Sequence, residues 1–207
     1  MKKVFGFVLI AALLLTNSLS LASASVAPGE LVESTATKLL ETIKAEKESI
    51  DQDPRRIYQL VDEIVLPHFD FPRMAKRVLG KNWRKATPAQ RKSFTMVFRD
   101  LLVRTYSNSL TEYTDQKITY LPVRGQTANA KKVTVRSEVE LASGTPIEVA
   151  YSLATNKDRW MVYDIKIDGV SLVTNYRSSF SREIDQQGID SLISKLAKKN
   201  DQGAEVD

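Results

Sequence analysis

A change of hydrophobic period near residue 117 restricts this chain more than any other feature. After it, apolar residues recur at every second position. Val133, Val135, Val139 and Leu141 alternate with Lys132, Thr134, Arg136, Glu138 and Glu140. Ser143-Gly144 marks a turn, after which Ile147, Val149, Tyr151 and Leu153 alternate with Glu148, Ala150 and Ser152. Asn156-Lys157-Asp158 marks a second turn, and Met161, Tyr163, Ile165 and Ile167 then alternate with Asp164, Lys166 and Asp168. A period of two places successive side chains on opposite faces of a strand. Short turns join antiparallel neighbours. With a strand from Lys117 to Val123, this predicts an antiparallel sheet of about four strands, with one wet face and one apolar face.

The apolar face needs a cover, and the first half of the chain is helical. Leu31, Leu39, Leu40 and Ile43 mark one amphipathic helix, and Ile57, Leu60, Val61 and Ile64 another that starts at Asp53-Pro54. A short helix runs from Phe71 to Leu79, with Gly80 as its stop. Thr87-Pro88-Ala89-Gln90 is a capping box that opens a long helix with Phe94, Phe98, Leu101, Leu102, Tyr106, Leu110 and Tyr113 on one stripe. Asp168-Gly169 ends the last strand; Leu172, Val173, Tyr176 and Phe180 then return to helical spacing, and a final helix carries Ile189, Leu192, Ile193 and Leu196. The fold class is α+β: a curved antiparallel sheet with helices packed on one face.

The N-terminus bears on location. Lys2 and Lys3 precede the apolar run Val4 to Leu15, and Ala22-Ser23-Ala24 follows. This is the pattern of a secretory signal peptide, residues 1–24, with cleavage after Ala24. Loss of Lys2 and Lys3 takes the formal charge from +5 to +3. That is a mildly basic surface, not a nucleic-acid footprint, and it suits an acidic protein partner or an anionic head group. The chain has no cysteine, which removes thiol chemistry and thiolate metal sites. Residues 25–199 are of a length for one domain, and residues 200–207 read as a disordered tail.

The search for catalytic chemistry finds little. His68 is the single histidine and reads as a packing or surface residue. No His/Asp/Glu group has metal-ligand spacing, and no glycine-rich phosphate loop or nucleophile motif is present. Asp164 and Asp168 fall on the wet face. Lys81, Arg84, Lys85, Arg91 and Lys92 gather around Trp83 at the start of the long helix, as a solvated helix end or as a docking patch. Tyr106, Tyr113, Tyr151, Tyr163 and Tyr176 fall on apolar faces. They suit a core with hydroxyls at its edge or the lining of an apolar pocket, and pattern does not separate the two.

Four blocks taken in order carry a resemblance: VLPHFDFPRMAKRVLGKNWRKATPAQRKSF, FRDLLVRTYSNSL, WMVYDIKIDGVSLVTNYRSSF and GIDSLISKL. Together they resemble the MlaC family, the toluene-tolerance auxiliary proteins, over Leu31 to Lys199. The resemblance implies a periplasmic phospholipid carrier with no cofactor and no enzymatic activity. It implies an apolar pocket for acyl chains between helices and sheet. As partners it implies an outer-membrane lipoprotein–porin complex and the MCE-domain subunit of an inner-membrane ABC transporter, with outer-membrane lipid asymmetry as the outcome. By matching position, Leu102, Tyr106, Leu110, Tyr163, Ile165 and Val170 are expected to face lipid. The alternation adds Val135, Val139, Val149 and Tyr151. Lys85, Arg91 and Arg136 are expected on the outer surface as docking charges. The competing readings are a small-molecule enzyme on a curved sheet, and a protein-protein adaptor whose core is filled.

Overall fold

In the computed structural model, residues 26–113, 116–123, 130–140 and 144–206 are described. The expected signal peptide, Leu141 and Ser143 lie outside them, as does the side chain of Tyr113. Helices come first: α1 (Pro28–Ala45), α2 (Lys47–Gln52), α3 (Arg56–Ile64), α4 (Phe71–Leu79), α5 (Asn82–Lys85) and α6 (Pro88–Tyr106). Strands follow: β1 (Ile118–Leu121), β2 (Lys132–Glu140), β3 (Pro146–Asn156), β4 (Arg159–Ile167) and the two-residue β5 (Val170–Ser171). Then come α7 (Leu172–Gln187) and α8 (Ile189–Val206). The strands form one antiparallel sheet in chain order, β1-β2-β3-β4-β5. The class is the expected α+β, with one more short strand than the alternation suggested.

Local chemistry accounts for several boundaries. The Thr87 side chain accepts from the Gln90 backbone N–H and Gln90 Oε1 accepts from the Thr87 backbone N–H, so the capping box forms as expected. Gly80 closes α4 at φ +51, in the left-handed region that favours glycine. Asp53 does not cap α3. Its carboxylate takes the Arg55 backbone N–H and guanidinium, and the helix starts after a turn, at Arg56. The stripe expected to reach Tyr113 leaves α6 at Tyr106 and continues as a 3₁₀ segment, Asn108–Tyr113. The expectation of a disordered tail from residue 200 meets a helix. Asn200 is buried, and its Nδ2 donates to the Val97 carbonyl at 3.0 Å.

The core has three parts. Phe71, Met74, Val78, Phe94, Phe98, Leu101, Leu102, Val173, Phe180, Leu192 and Leu196 join α4, α6, α7 and α8. Leu39, Ile43, Ile50, Ile57, Leu60, Val61 and Ile64 join α1, α2 and α3. Val32 of α1 packs on Val133, Val135, Leu153 and Val162 of the sheet. Phe69 touches the first and third parts, and the Asp70 backbone N–H donates to the Val162 carbonyl at 2.8 Å. The start of α4 is thereby tied to β4.

Asp164 departs from expectation. It is 4% exposed rather than wet. Its Oδ2 accepts from Ser171 Oγ at 2.7 Å and its Oδ1 from the Val173 backbone N–H at 3.2 Å. Ser171 Oγ in turn caps α7 by accepting from the Thr174 N–H. A carboxylate at a helix N-terminus satisfies otherwise orphaned donors. Asp164→Ala strands the Val173 N–H and frees the Ser171 cap. It should cost about 2 kcal/mol, or roughly 4–8 °C in melting temperature. A thermal melt within about 1 °C of wild type would show that the cap is held without it.

Candidate functional site

Strand register sorts the sheet's apolar side chains into rows, because directly opposed residues share a face. The first row is Val133, Leu153 and Val162; the second is Val135, Tyr151 and Ile165. The third is Tyr120, Ser137, Val149, Ile167 and Val170, and the fourth is Ile118, Val139 and Ile147. All lie on one face, and none carries a charge.

Cover changes along these rows. The first is buried throughout, beneath Val32 and Phe69. In the second, Val135 is buried while Tyr151 and Ile165 are half-buried. In the third, Ser137 is 0% exposed, Tyr120, Val149 and Ile167 are half-buried, and Val170 is 59% exposed. The fourth is half-buried throughout. The face is sealed at one end and leaves apolar surface in water toward the other. Water contact on apolar surface is unfavourable at about 25 cal/mol per Å².

Six of the ten residues expected to face lipid are brought together here: Val135, Val139, Val149, Tyr151, Ile165 and Val170. The other four are not. Leu102 and Tyr106 pack with the four-helix part of the core, and Leu110 packs with α1–α3. Tyr163 was expected to share a face with Ile165. A β-bulge prevents this: Ser152 opposes Asp164, but Leu153 opposes Val162, so Tyr163 is an extra residue on β4. Its ring packs with the helices instead, with the guanidinium groups of Arg77 and Arg73 at 5.0 and 5.8 Å. The bulge also brings Val162 and Trp160 onto the face assigned by simple alternation to Ile165.

Two residues of this face escaped sequence reasoning. Ser137 occupies an inward position of β2, and Tyr120 lies directly opposite on β1. The available signal was a hydroxyl in an otherwise apolar register. Burial raises the Tyr120 phenol to about 12, helped by the neighbouring Tyr151 and by Glu33. Burial also raises Tyr151, and the Ser137 hydroxyl opposes that rise. Ser137 Oγ is close enough to favour the phenolate, but no partner meets it in hydrogen-bond geometry.

The docking charges differ in their surroundings. Lys85 is exposed at the end of α5. Arg91 is half-buried; its Nε donates to the Trp83 carbonyl at 2.9 Å and its guanidinium stacks over that ring at 5.3 Å. Arg136 is half-buried on the opposite face of β2, between Leu121 and Ala150. Two clefts lie elsewhere on the surface. One of about 340 Å³ between α3 and α6 is lined by Tyr58, Asp62, Arg99, Asp100 and Arg104, the other by α7 and α8, and neither includes a residue of the sheet face. Among the described residues, no group of three or more His, Cys, Asp or Glu could hold a metal. No helix among them is long and apolar enough to cross a membrane.

His68 has a structural explanation. Burial lowers its pKa, and the cations Arg159 and Lys38 lower it further. A base whose folded pKa lies below its unfolded value stabilises the fold fully above about pH 6.5. That contribution falls away as pH drops from there toward the folded pKa, and is absent below it. Stability should therefore decline on mild acidification, and His68→Gln should flatten that part of the curve. Parallel denaturant titrations of the two proteins across this window check it. Superimposable pH profiles would contradict it.

The comparisons agree with this architecture. Residues 33–198 match the family model described as MlaC protein, and the chain belongs to the MlaC family. It is 30% identical over 168 residues to toluene tolerance protein ttg2D of Pseudomonas putida, covering 81% of this chain and 77% of that protein. It is 28% identical over 184 residues to the intermembrane phospholipid transport system binding protein MlaC of Haemophilus influenzae, covering 87% and 86%. A solved phospholipid-binding protein from Ralstonia solanacearum, in complex with a phospholipid, superposes with a TM-score of 0.76 at 32% identity. That match covers 84% of this chain and 97% of the other.

Proposed function

We propose that this chain is a phospholipid carrier of the periplasm. It takes lipid between an outer-membrane lipoprotein–porin complex and the MCE-domain subunit of an inner-membrane ABC transporter, and so maintains outer-membrane lipid asymmetry. The observation that carries the reading is the half-covered apolar face of rows two to four, in a chain whose fold matches a protein solved with phospholipid bound. The signal-peptide pattern of residues 1–24 supports export.

The physics of the cargo sets the mechanism. A diacyl phospholipid has on the order of thirty chain carbons, and at about 0.8 kcal/mol per methylene their exposure to water costs on the order of 20 kcal/mol. Release into water is negligible on that scale. Transfer is a hand-off in which the open end of the face meets another apolar path. The reading requires docking but no catalytic residue. Lys85, Arg91 and Arg136 are the charges proposed to steer it, which makes association sensitive to salt.

Mass spectrometry of the gently purified mature protein tests the reading. Phospholipid close to stoichiometric with the chain is expected. A small polar metabolite that the protein turns over would favour an enzyme. Protein free of any lipid, with the face closed, would favour the adaptor.

A further inference from the structure

Within the four rows described above, Ser137 is the one polar side chain apart from the Tyr120 and Tyr151 phenols, and it is 0% exposed. Its hydroxyl has no partner in hydrogen-bond geometry. A buried hydroxyl left unpaired costs about 1–3 kcal/mol, so a position of this kind calls for an explanation. Two phenols flank it. Tyr120 is directly opposite across the β1–β2 pair, and Tyr151 is the diagonal neighbour on β3. Strand spacing of about 4.8 Å sets these three residues within reach of one small group. Alanine or valine at 137 would continue the row without an orphaned donor.

Resting on the carrier reading, we infer that Tyr120, Ser137 and Tyr151 form a neutral hydroxyl site that binds the ester carbonyls of a diacyl glycerophospholipid. A carbonyl oxygen is an acceptor without charge, and three hydroxyls offer it donors without charge. The rows hold no cation, so an ionised phosphate would be buried there without a counter-charge, which is strongly unfavourable. A bare acyl chain would offer Ser137 no acceptor. An ester satisfies both limits. It lies where the apolar chains begin, and the site lies where the rows begin to open toward Val170. Burial keeps both phenols protonated, and so able to donate, through the physiological range.

The prediction is a preference for ester-linked over ether-linked lipid. The full mature chain, stripped of lipid, is offered vesicles containing equal amounts of dioleoyl phosphatidylglycerol and its di-O-oleyl ether analogue, and bound lipid is extracted and weighed by mass. Wild type should favour the diester by about three- to tenfold, the scale of one or two net hydrogen bonds. Ser137→Ala should bring the ratio close to one, read on whatever lipid that variant takes up, and Tyr151→Phe should move it the same way. No preference in wild type, as expected for a site that holds only a buried water, would overturn the inference. So would an undiminished preference in both variants. Failure of wild type to take up either lipid would instead overturn the carrier reading, and this site with it.

Discussion

Stripping bound phospholipid from the native protein should lower its melting temperature by about 10 °C. The size follows from linkage. A ligand held at a thousandfold excess over its dissociation constant stabilises the folded state by about 4 kcal/mol. For a domain of this size each kcal/mol moves the midpoint by roughly 2–4 °C. The structural source is the set of side chains that change environment. Tyr151, Ile165, Val149, Ile167, Val139, Ile147, Ile118 and Tyr120 are half-buried by protein alone. Acyl chains laid across them, as the carrier reading proposes, would complete their burial. Without lipid they face water, or helices and sheet shift to cover them, and either outcome lowers stability. Calorimetry before and after delipidation, with removal verified by extraction, measures the change. An unchanged melting curve would mean that protein atoms already satisfy the face.

Which parts of this face the sequence could disclose is a matter of range. Capping and turn chemistry acts over a few residues. Thr87 to Gln90, Gly80 after α4, and the Asp168-Gly169 turn were legible because their partners are near in the chain. Strand alternation was legible for the same reason, and it placed Val135, Val139, Val149 and Tyr151 on one face. The bulge at Tyr163 was not. It inserts one residue opposite the Ser152–Leu153 step, and the local pattern Met161, Tyr163, Ile165 reads as unbroken alternation. Asp164 was misplaced by the same logic. Charge suggested water, but its real partners, Ser171 and the Val173 N–H, lie beyond a turn. Leu102, Tyr106 and Leu110 share a helical stripe, yet two clusters divide them, because a stripe of 3.6 periodicity does not reveal which neighbour covers each turn. Ser137 interrupts an apolar register, which is visible in the sequence. That it has no hydrogen-bond partner is visible only once β1 and β3 flank it.

Graded cover along the rows leads to the largest expected effect of a single substitution. The same acidic side chain, moved along the face, should change from lethal to the fold, to lethal to binding, to nearly silent. Leu153, 0% exposed in the first row, has nothing but protein around it. Leu153→Asp buries an unpaired charge, at a cost of at least about 4–5 kcal/mol, which is a large part of a domain's stability. That variant should unfold. Val149 lies in the middle of the third row and is half-buried. Val149→Asp can hydrate its carboxylate from the open side, so the domain should fold. Acyl chains cannot cover that charge without removing its water, and the protein should be empty. Val170, at the end of the same row on β5, is exposed to solvent. Val170→Glu should shift stability by no more than about 0.5 kcal/mol. It should keep its lipid and act only at the rim, slowing hand-off between donor and acceptor vesicles. Circular dichroism, lipid extraction and a transfer assay on the same three samples separate these states. If all three variants unfold, the face is a filled core and the carrier reading loses its site. If Val149→Asp folds with its full lipid complement, the acyl chains lie elsewhere in the protein. Only a folded and empty Val149→Asp beside a folded and loaded Val170→Glu fits a face that is sealed at one end and finished by lipid at the other.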